Sequence, residues 1–287
     1  MIIENRISEA FFIKYFTGRA IPGLLMYTNQ VSKNIITRSN ISIFVLDQKV
    51  NHAQIDIMNK GNLAIIPARG GSKRIPRKNI KDFLGKPVIS YAIENALNTG
   101  LFDQVIVSTD DEEIAGIAKK YGASVPFFRS AETSGDQATT SEVLLEVMEE
   151  FKNRGQTYNY GCCIYPTAVF ASTRLIRKGF DLISEYGAQS VFPVVEYSHP
   201  IGRAYKIENG KAGMIWPENL NKRTQDMEKA YHDAGQFYWY TCDILINTGK
   251  LISENANTII LEQNVVHDID NEADWKIAEI KYRLLNG

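Results

Sequence analysis

From residue 63 onward, short apolar runs rich in β-branched residues alternate with longer stretches whose apolar residues recur every third or fourth position. The runs fall at 63–67, 104–108, 124–128, 161–165 and 190–194, and the helical stretches near 88–98, 111–121, 140–154 and 172–186. Two strands joined through a helix do not close a hairpin, because the helix crosses the sheet and returns the chain in the same direction. The alternation therefore predicts an α/β fold with a three-layer, doubly wound, mainly parallel sheet. Between 196 and 240 the rhythm breaks into short pieces rich in Tyr, Gly, Pro and Asn, which reads as a small β-rich insertion supplying substrate or subunit contacts. Order returns at 259–261 and 265–269 and ends in a helix over 272–285.

The first 61 residues do not share this rhythm, and their apolar pieces, such as 10–16 and 41–46, suggest no chemistry. We expect an N-terminal extension, 1–61, of unassigned role and a main domain, 62–287, that could begin by itself near Met58. With 287 residues, 44% of them hydrophobic, the chain can bury a substantial core. Its net charge of −1 provides no broad cationic field for a nucleic acid. No apolar stretch approaches the roughly 18–20 residues that span a bilayer. Cys162, Cys163 and Cys242 fit neither a disulfide framework nor a CxxC metal spacing. The expectation is a cytoplasmic protein with no nucleic-acid or membrane partner.

Any site for a polyanion must then be local, and one segment stands out. The strand at 63–67 runs directly into Ala68-Arg69-Gly70-Gly71-Ser72-Lys73-Arg74-Ile75-Pro76-Arg77-Lys78-Asn79. Adjacent glycines let backbone amides approach phosphate oxygens with no Cβ in the way, and five cations supply compensating charge. Open α/β sheets bind ligands at the carboxyl ends of their strands, where this loop lies. A triphosphate suits that chemistry. The spacing is neither GxxxxGK[ST] nor GxGxxG, so neither a P-loop NTPase nor a dinucleotide-binding enzyme is indicated.

Together with Val107-Ser108-Thr109-Asp110-Asp111, Phe128-Arg129-Ser130-Ala131-Glu132 and Tyr165-Pro166-Thr167-Ala168 in the same order, this segment resembles the cytidylyltransferases that make CMP-activated 3-deoxy-2-ketoacid sugars. The resemblance spans roughly 63–285. It implies a nucleotide-diphospho-sugar transferase-like fold, CTP and a nonulosonic acid sugar as substrates, Mg²⁺ as the metal, and a homodimer. It also implies that Arg69 and Lys73 act in catalysis by holding the triphosphate. Ala68, Gly70, Gly71, Ser72 and Asn79 would complete the nucleotide site, and Arg129 would read the cytosine edge. A guanidinium suits that task, since it donates to the base's carbonyl and N3 acceptors. Asp111 is a natural N-cap for the helix after it, and Asp110 could reach the nucleotide from the end of its strand.

In His267-Asp268-Ile269-Asp270, extended backbone would place Asp268 and Asp270 on one side and Ile269 toward the core. Two such carboxylates suit Mg²⁺, which is commonly held by one or two carboxylates plus substrate phosphates; an exposed turn would use the same pattern. The family's DIDxxxD segment is similar, with Asp274 at the third position. Tyr231-His232-Asp233-Ala234-Gly235-Gln236-Phe237-Tyr238-Trp239 gathers polar and aromatic groups about a glycine, which fits a sugar pocket or a core strand. It resembles the family's pseudaminic acid branch more than its sialic acid branch, as does Tyr165, where the second branch usually carries Gln. The implied sugar contacts are Tyr165, Asp233 and Gln236. The implied reaction is attack of the sugar's anomeric hydroxyl on the α-phosphorus of CTP, with pyrophosphate leaving. Activation of N-acetylneuraminic acid, legionaminic acid or a hexose 1-phosphate, or nucleotide binding without turnover, are the alternatives.

Overall fold

The computed structural model describes residues 35–38, 41–44 and 61–287. The chain divides into two compact units, Met1–Asn51 and His52–Gly287. In the first, β1 (Ile35–Arg38) pairs antiparallel with β2 (Ile41–Phe44). The apolar piece at 10–16 and the domain start near Met58 lie outside the described residues.

The strands of the second unit are β3 (Asn62–Pro67), the short pair β4 (Asp82–Phe83) and β5 (Lys86–Pro87), β6 (Gln104–Ser108), β7 (Tyr160–Ile164), β8 (Ser190–Glu196), the hairpin β9 (Tyr205–Glu208) and β10 (Lys211–Met214), β11 (Tyr231–Asp233), β12 (Phe237–Thr241) and β13 (Ala256–Leu261). Its helices are α1 (Ile89–Thr99), α2 (Glu112–Lys120), α3 (Ala131–Ser134), α4 (Thr140–Asn153), α5 (Thr173–Glu185), α6 (Cys242–Thr248) and α7 (Glu272–Asn286). The main sheet has the order β11-β8-β12-β7-β3-β6, with β13 also on β8. Parallel pairing joins β3 to β6 and β7, and β13 to β8. β12 runs against both β7 and β8. The sheet is therefore mixed around a parallel core: β8 reaches β12 through the hairpin-bearing insertion rather than a crossover helix, so the chain returns antiparallel.

Two sequence expectations change. Stretch 124–128 is not a strand; Ser124 alone bridges Ile106, and Pro126 has no N–H with which to extend the ladder. The irregular stretch ends near residue 230 rather than 240, because β11 and β12 both belong to the main sheet. Between them the register against β8 steps at 234–236, where Gly235 takes φ +62°.

Alternate residues of β3 enter two cores, as a strand apolar on both faces requires. Ala64 and Ile66 pack with Ile89 and Ile93 of α1, Ile114 of α2 and Ile176 of α5. Leu63 and Ile65 pack with Leu144, Val147 and Phe151 of α4 and Leu245 of α6. A third, smaller core joins Ile75 and Phe83 to Val169, Ile269 and Trp275. Among the described residues no helix is long and apolar enough to cross a membrane.

Candidate active site

The basic loop leaves β3 with its backbone already anchored. The Ala68 amide donates to the Ser108 carbonyl (2.9 Å) and the Ser72 amide to the Gly70 carbonyl (3.0 Å). The Gly70 amide donates to Asp110 Oδ1 at 2.9 Å. A Cβ on Gly70 would come within 2.6 Å of Asp111 Oδ2, so glycine is needed for this close approach. Asp111 is held in place: its Oδ1 accepts from the Ile114 amide (3.0 Å) as the cap of α2, and both its oxygens pair with the Arg77 guanidinium. That hydrogen bond is the main reason its carboxyl sits lowered to about 2. Arg77 also bonds Glu113, so this cation serves the loop's shape. The buried Asn79 donates from Nδ2 to the Arg69 carbonyl (2.9 Å). Three of the backbone amides that the sequence offers to phosphate are thus committed within the protein, and side chains must supply most of the charge.

Those side chains meet at a cavity of about 280 Å³ at the carboxyl end of β3. Arg69, Lys73, Arg74, Lys78 and Arg129 line it, and Asp136 is the single anionic side chain among its lining. Arg69 Nη1 lies 2.8 Å from Asp136 Oδ1, and Lys73 pairs with Asp136 Oδ2. On the other side, Arg74 pairs with Asp270 at 2.6 Å, and the Lys78 ammonium lies 3.9 Å from the same carboxylate. Lys78 also donates to the Ile269 carbonyl at 2.7 Å; burial lowers its pKa, opposed by Asp270 and Asp268. Arg129 is buried and donates from Nε to Ser108 Oγ (3.2 Å) and from Nη2 to the Ser108 carbonyl (2.7 Å), which fixes the plane of its guanidinium.

The acidic pair is positioned by the residue between its members. Ile269 is 1% exposed and shares the third core with Ile75 of the basic loop, so one apolar contact network carries both charged segments. Burial raises the Asp268 pKa, and the neighbouring Asp270 raises it further. Asp274 does not join the pair. Its Oδ2 accepts the amides of Asp270 (2.9 Å) and Asn271 (3.0 Å) in a capping box that starts α7. Among the described residues no group of three or more His, Cys, Asp or Glu stands at metal-binding spacing.

The far wall of the cavity comes from 133–143 and Tyr165. The Tyr165 hydroxyl is 3.2 Å from Thr140 Oγ1, and its ring centroid is 5.3 Å from that of Tyr238. Tyr238 in turn donates to Asp233 Oδ2 (2.7 Å), while the Gly235 amide donates to Asp233 Oδ1 (2.8 Å). Gln236 is 3% exposed; its Nε2 donates to the Val265 carbonyl (2.8 Å), and its Oε1 is buried with no partner among the described residues. The cavity therefore brings Arg69, Ser72, Lys73, Asn79, Arg129 and Tyr165 together, whereas Ala68, Gly70, Gly71, Asp233, Gln236, Asp268 and Asp270 are not among its lining. Sequence reasoning missed Thr133, Asp136 and Thr140. The available signal was the Thr139-x-x-Glu142 capping box, which starts a helix at the cavity edge.

This fold, with a cationic cavity at the carboxyl ends of its strands, is of the nucleotidyltransferase class. It is similar to the solved CMP:2-keto-3-deoxy-manno-octonic acid synthetase complexed with CTP (TM-score 0.58, 17% identity, covering 79% of this chain and 99% of that one). It is also similar to 4-diphosphocytidyl-2C-methyl-D-erythritol synthase from Anaerococcus prevotii (TM-score 0.54, 14% identity, 78% and 99%). The Cytidylyltransferase family model matches residues 63–263, and the chain belongs to that family. Among its relatives, the pseudaminic acid cytidylyltransferase of Campylobacter jejuni is 42% identical over 224 residues, which is 78% of this chain and 97% of that protein. The CMP-N,N'-diacetyllegionaminic acid synthase of Legionella pneumophila is 32% identical over 225 residues, 76% of this chain and 94% of that protein.

Proposed function

We propose that the chain transfers CMP from CTP to the anomeric hydroxyl of pseudaminic acid and releases pyrophosphate. The observation that carries this is the cavity: five cations and one carboxylate around a space at the sheet's carboxyl edge. The sugar assignment rests on the 42% identity over nearly the full length of the Campylobacter jejuni relative. Arg69 and Lys73 hold the triphosphate and stabilise charge that builds on the leaving pyrophosphate. Ser72 lies beside them, and Asn79 keeps Arg69's backbone in place. Arg129, its plane fixed against Ser108, presents its remaining donors to the cytosine edge. Tyr165 forms the sugar-side wall, braced by Tyr238 and Asp233. The reaction is largely one of positioning, which a rigid set of side chains supplies.

Asp268 and Asp270 fit a hard cation. They are two carboxylates flanking the buried Ile269 on a core-anchored segment, close enough for Asp270 to disfavour the charge on Asp268, with too few protein ligands for a full cage. They would hold Mg²⁺ jointly with substrate phosphates; bound there, the ion would supply Lewis-acid polarisation of the α-phosphate. Asp270→Asn should lower turnover about tenfold or more at ordinary Mg²⁺, with partial recovery at higher Mg²⁺. Unchanged metal dependence would remove the assignment.

We assign the activity to 62–287, within which the family match lies, and to the cytoplasm. A homodimer is supported by exposed Tyr205, Ile207 and Leu220 on the insertion. The deciding experiment incubates the protein with Mg²⁺, each NTP, and pseudaminic, legionaminic and N-acetylneuraminic acids, with products read by mass spectrometry. CMP-pseudaminic acid should dominate. A dominant CMP-legionaminic acid would move the assignment to the chemistry named for the Legionella relative.

A further inference from the structure

Asp136 lies between α3 and α4 and is the one acid among the side chains that line the cavity. Its two oxygens are divided between the two cations assigned above to the triphosphate, Arg69 at 2.8 Å and Lys73. Both ends of its loop are anchored. On one side the Ser130 amide donates to Glu146 Oε1 (2.7 Å) and the Thr133 hydroxyl to Glu146 Oε2. On the other, Thr139 caps α4 and its amide donates to Glu142 Oε2 (2.7 Å). Asp136 thus meets the loop at a fixed place, with its carboxylate where phosphate oxygens must go if Arg69 and Lys73 are to bind them.

We propose that Asp136 competes with the nucleotide's phosphates for Arg69 and Lys73, keeping these cations in register when no nucleotide is bound and reclaiming them as pyrophosphate leaves. The inference rests on the nucleotide reading above. Lys73 is 78% exposed and the Asp136 carboxylate 39% exposed, so water and salt screen the pair and it is weak. That weakness suits the role. A tri- or tetra-anion displaces the carboxylate readily, whereas a singly charged ligand gains little over the charge it replaces. Without Asp136 the same cations would hold every polyphosphate more tightly, the product included.

Calorimetric titration of the full chain with CTP and with pyrophosphate, both with Mg²⁺, tests this. Asp136→Asn and Asp136→Ser should each tighten both ligands about 1.5- to 5-fold, the range expected for an exposed ion pair. The gain should shrink as NaCl rises from about 50 to about 500 mM, and Asp136→Glu should behave as wild type. Unchanged or weaker binding in the Asn and Ser variants overturns the proposal, since it would make Asp136 a support for the loop. Arg69→Ala separates the two claims: if wild type does not bind CTP, or Arg69→Ala binds it equally, the nucleotide site and the role of Asp136 both fail. If those controls hold and the Asp136 variants do not tighten, the Asp136 proposal alone fails.

Discussion

In loop 69–78, four cations point into the cavity and face carboxylates of neighbouring segments, Asp136 on one side and Asp270 on the other. In β11–β12, by contrast, the polar groups pair with neutral partners or with one another: Tyr238 with the exposed Asp233, and the buried Gln236 with the Val265 carbonyl. The loop acts through charge that stays partly hydrated and adjustable. The strand pair is instead joined by partly buried hydrogen bonds and by the packing of Tyr238 against Tyr165. Charge on the loop should therefore govern how tightly phosphates bind, and packing behind the other wall should govern which sugar fits.

The sharpest break in that division is at Ile269, where the apolar core under the loop also carries the acidic pair. Ile269→Ala removes a wholly buried side chain and should cost about 3 kcal/mol of stability by urea denaturation; a loss under about 1 kcal/mol would show that the two charged segments are not fixed by a shared core. Lys73→Ala should leave stability near wild type and lower kcat/KM about 10²-fold, roughly 2.7 kcal/mol of transition-state binding. Near-normal turnover would remove the phosphate role of the loop. On the opposite wall, Tyr238→Phe deletes the hydroxyl that reaches Asp233. It should cost about 1 kcal/mol and raise KM for the sugar severalfold with KM for CTP unchanged; a change confined to CTP would reverse the comparison.

The smallest effect concerns the loop's own brace. Asp111 has its folded pKa depressed to about 2, first by Arg77's hydrogen bond, from an ordinary value of 3.8. A depressed carboxylate contributes stability above its unfolded pKa, and that contribution disappears as pH falls through the folded value. Because Arg77 is partly exposed, the contribution is about 1 kcal/mol after solvent screening. Asp111→Asn should therefore lower Tm at pH 7, and the gap to wild type should narrow from about pH 5 down through about pH 2. A gap that is constant with pH would mean that the cap, not the charge, carries Asp111's effect.

The loop's place at a cavity was legible in sequence because Gly-Gly among five cations follows a strand's carboxyl end, where open α/β sheets form their clefts. Asp111's cap was likewise legible, being local to four residues. Asp136 was not, since a lone carboxylate in a polar connection has no pattern, and only tertiary folding brings it to Arg69. Phe237-Tyr238-Trp239-Tyr240 is apolar on both faces and has no period, so the sequence left β12 open between a sugar pocket and a core strand and its place in the main sheet was not legible. Asp274, which matches the third position of the family's DIDxxxD segment, also carried a local signal, since Asn271-x-x-Asp274 before a helical stretch has the spacing of a cap.

In the proposed function the basic loop, Arg129 and the acidic pair form one CTP site. A crystal structure with CTP and Mg²⁺ bound tests it most directly. Phosphates should lie on Arg69 and Lys73, the cytosine edge at Arg129, and a metal ion within reach of Asp268 and Asp270. A triphosphate bound away from Arg69 and Lys73, or a cytosine remote from Arg129, would contradict it.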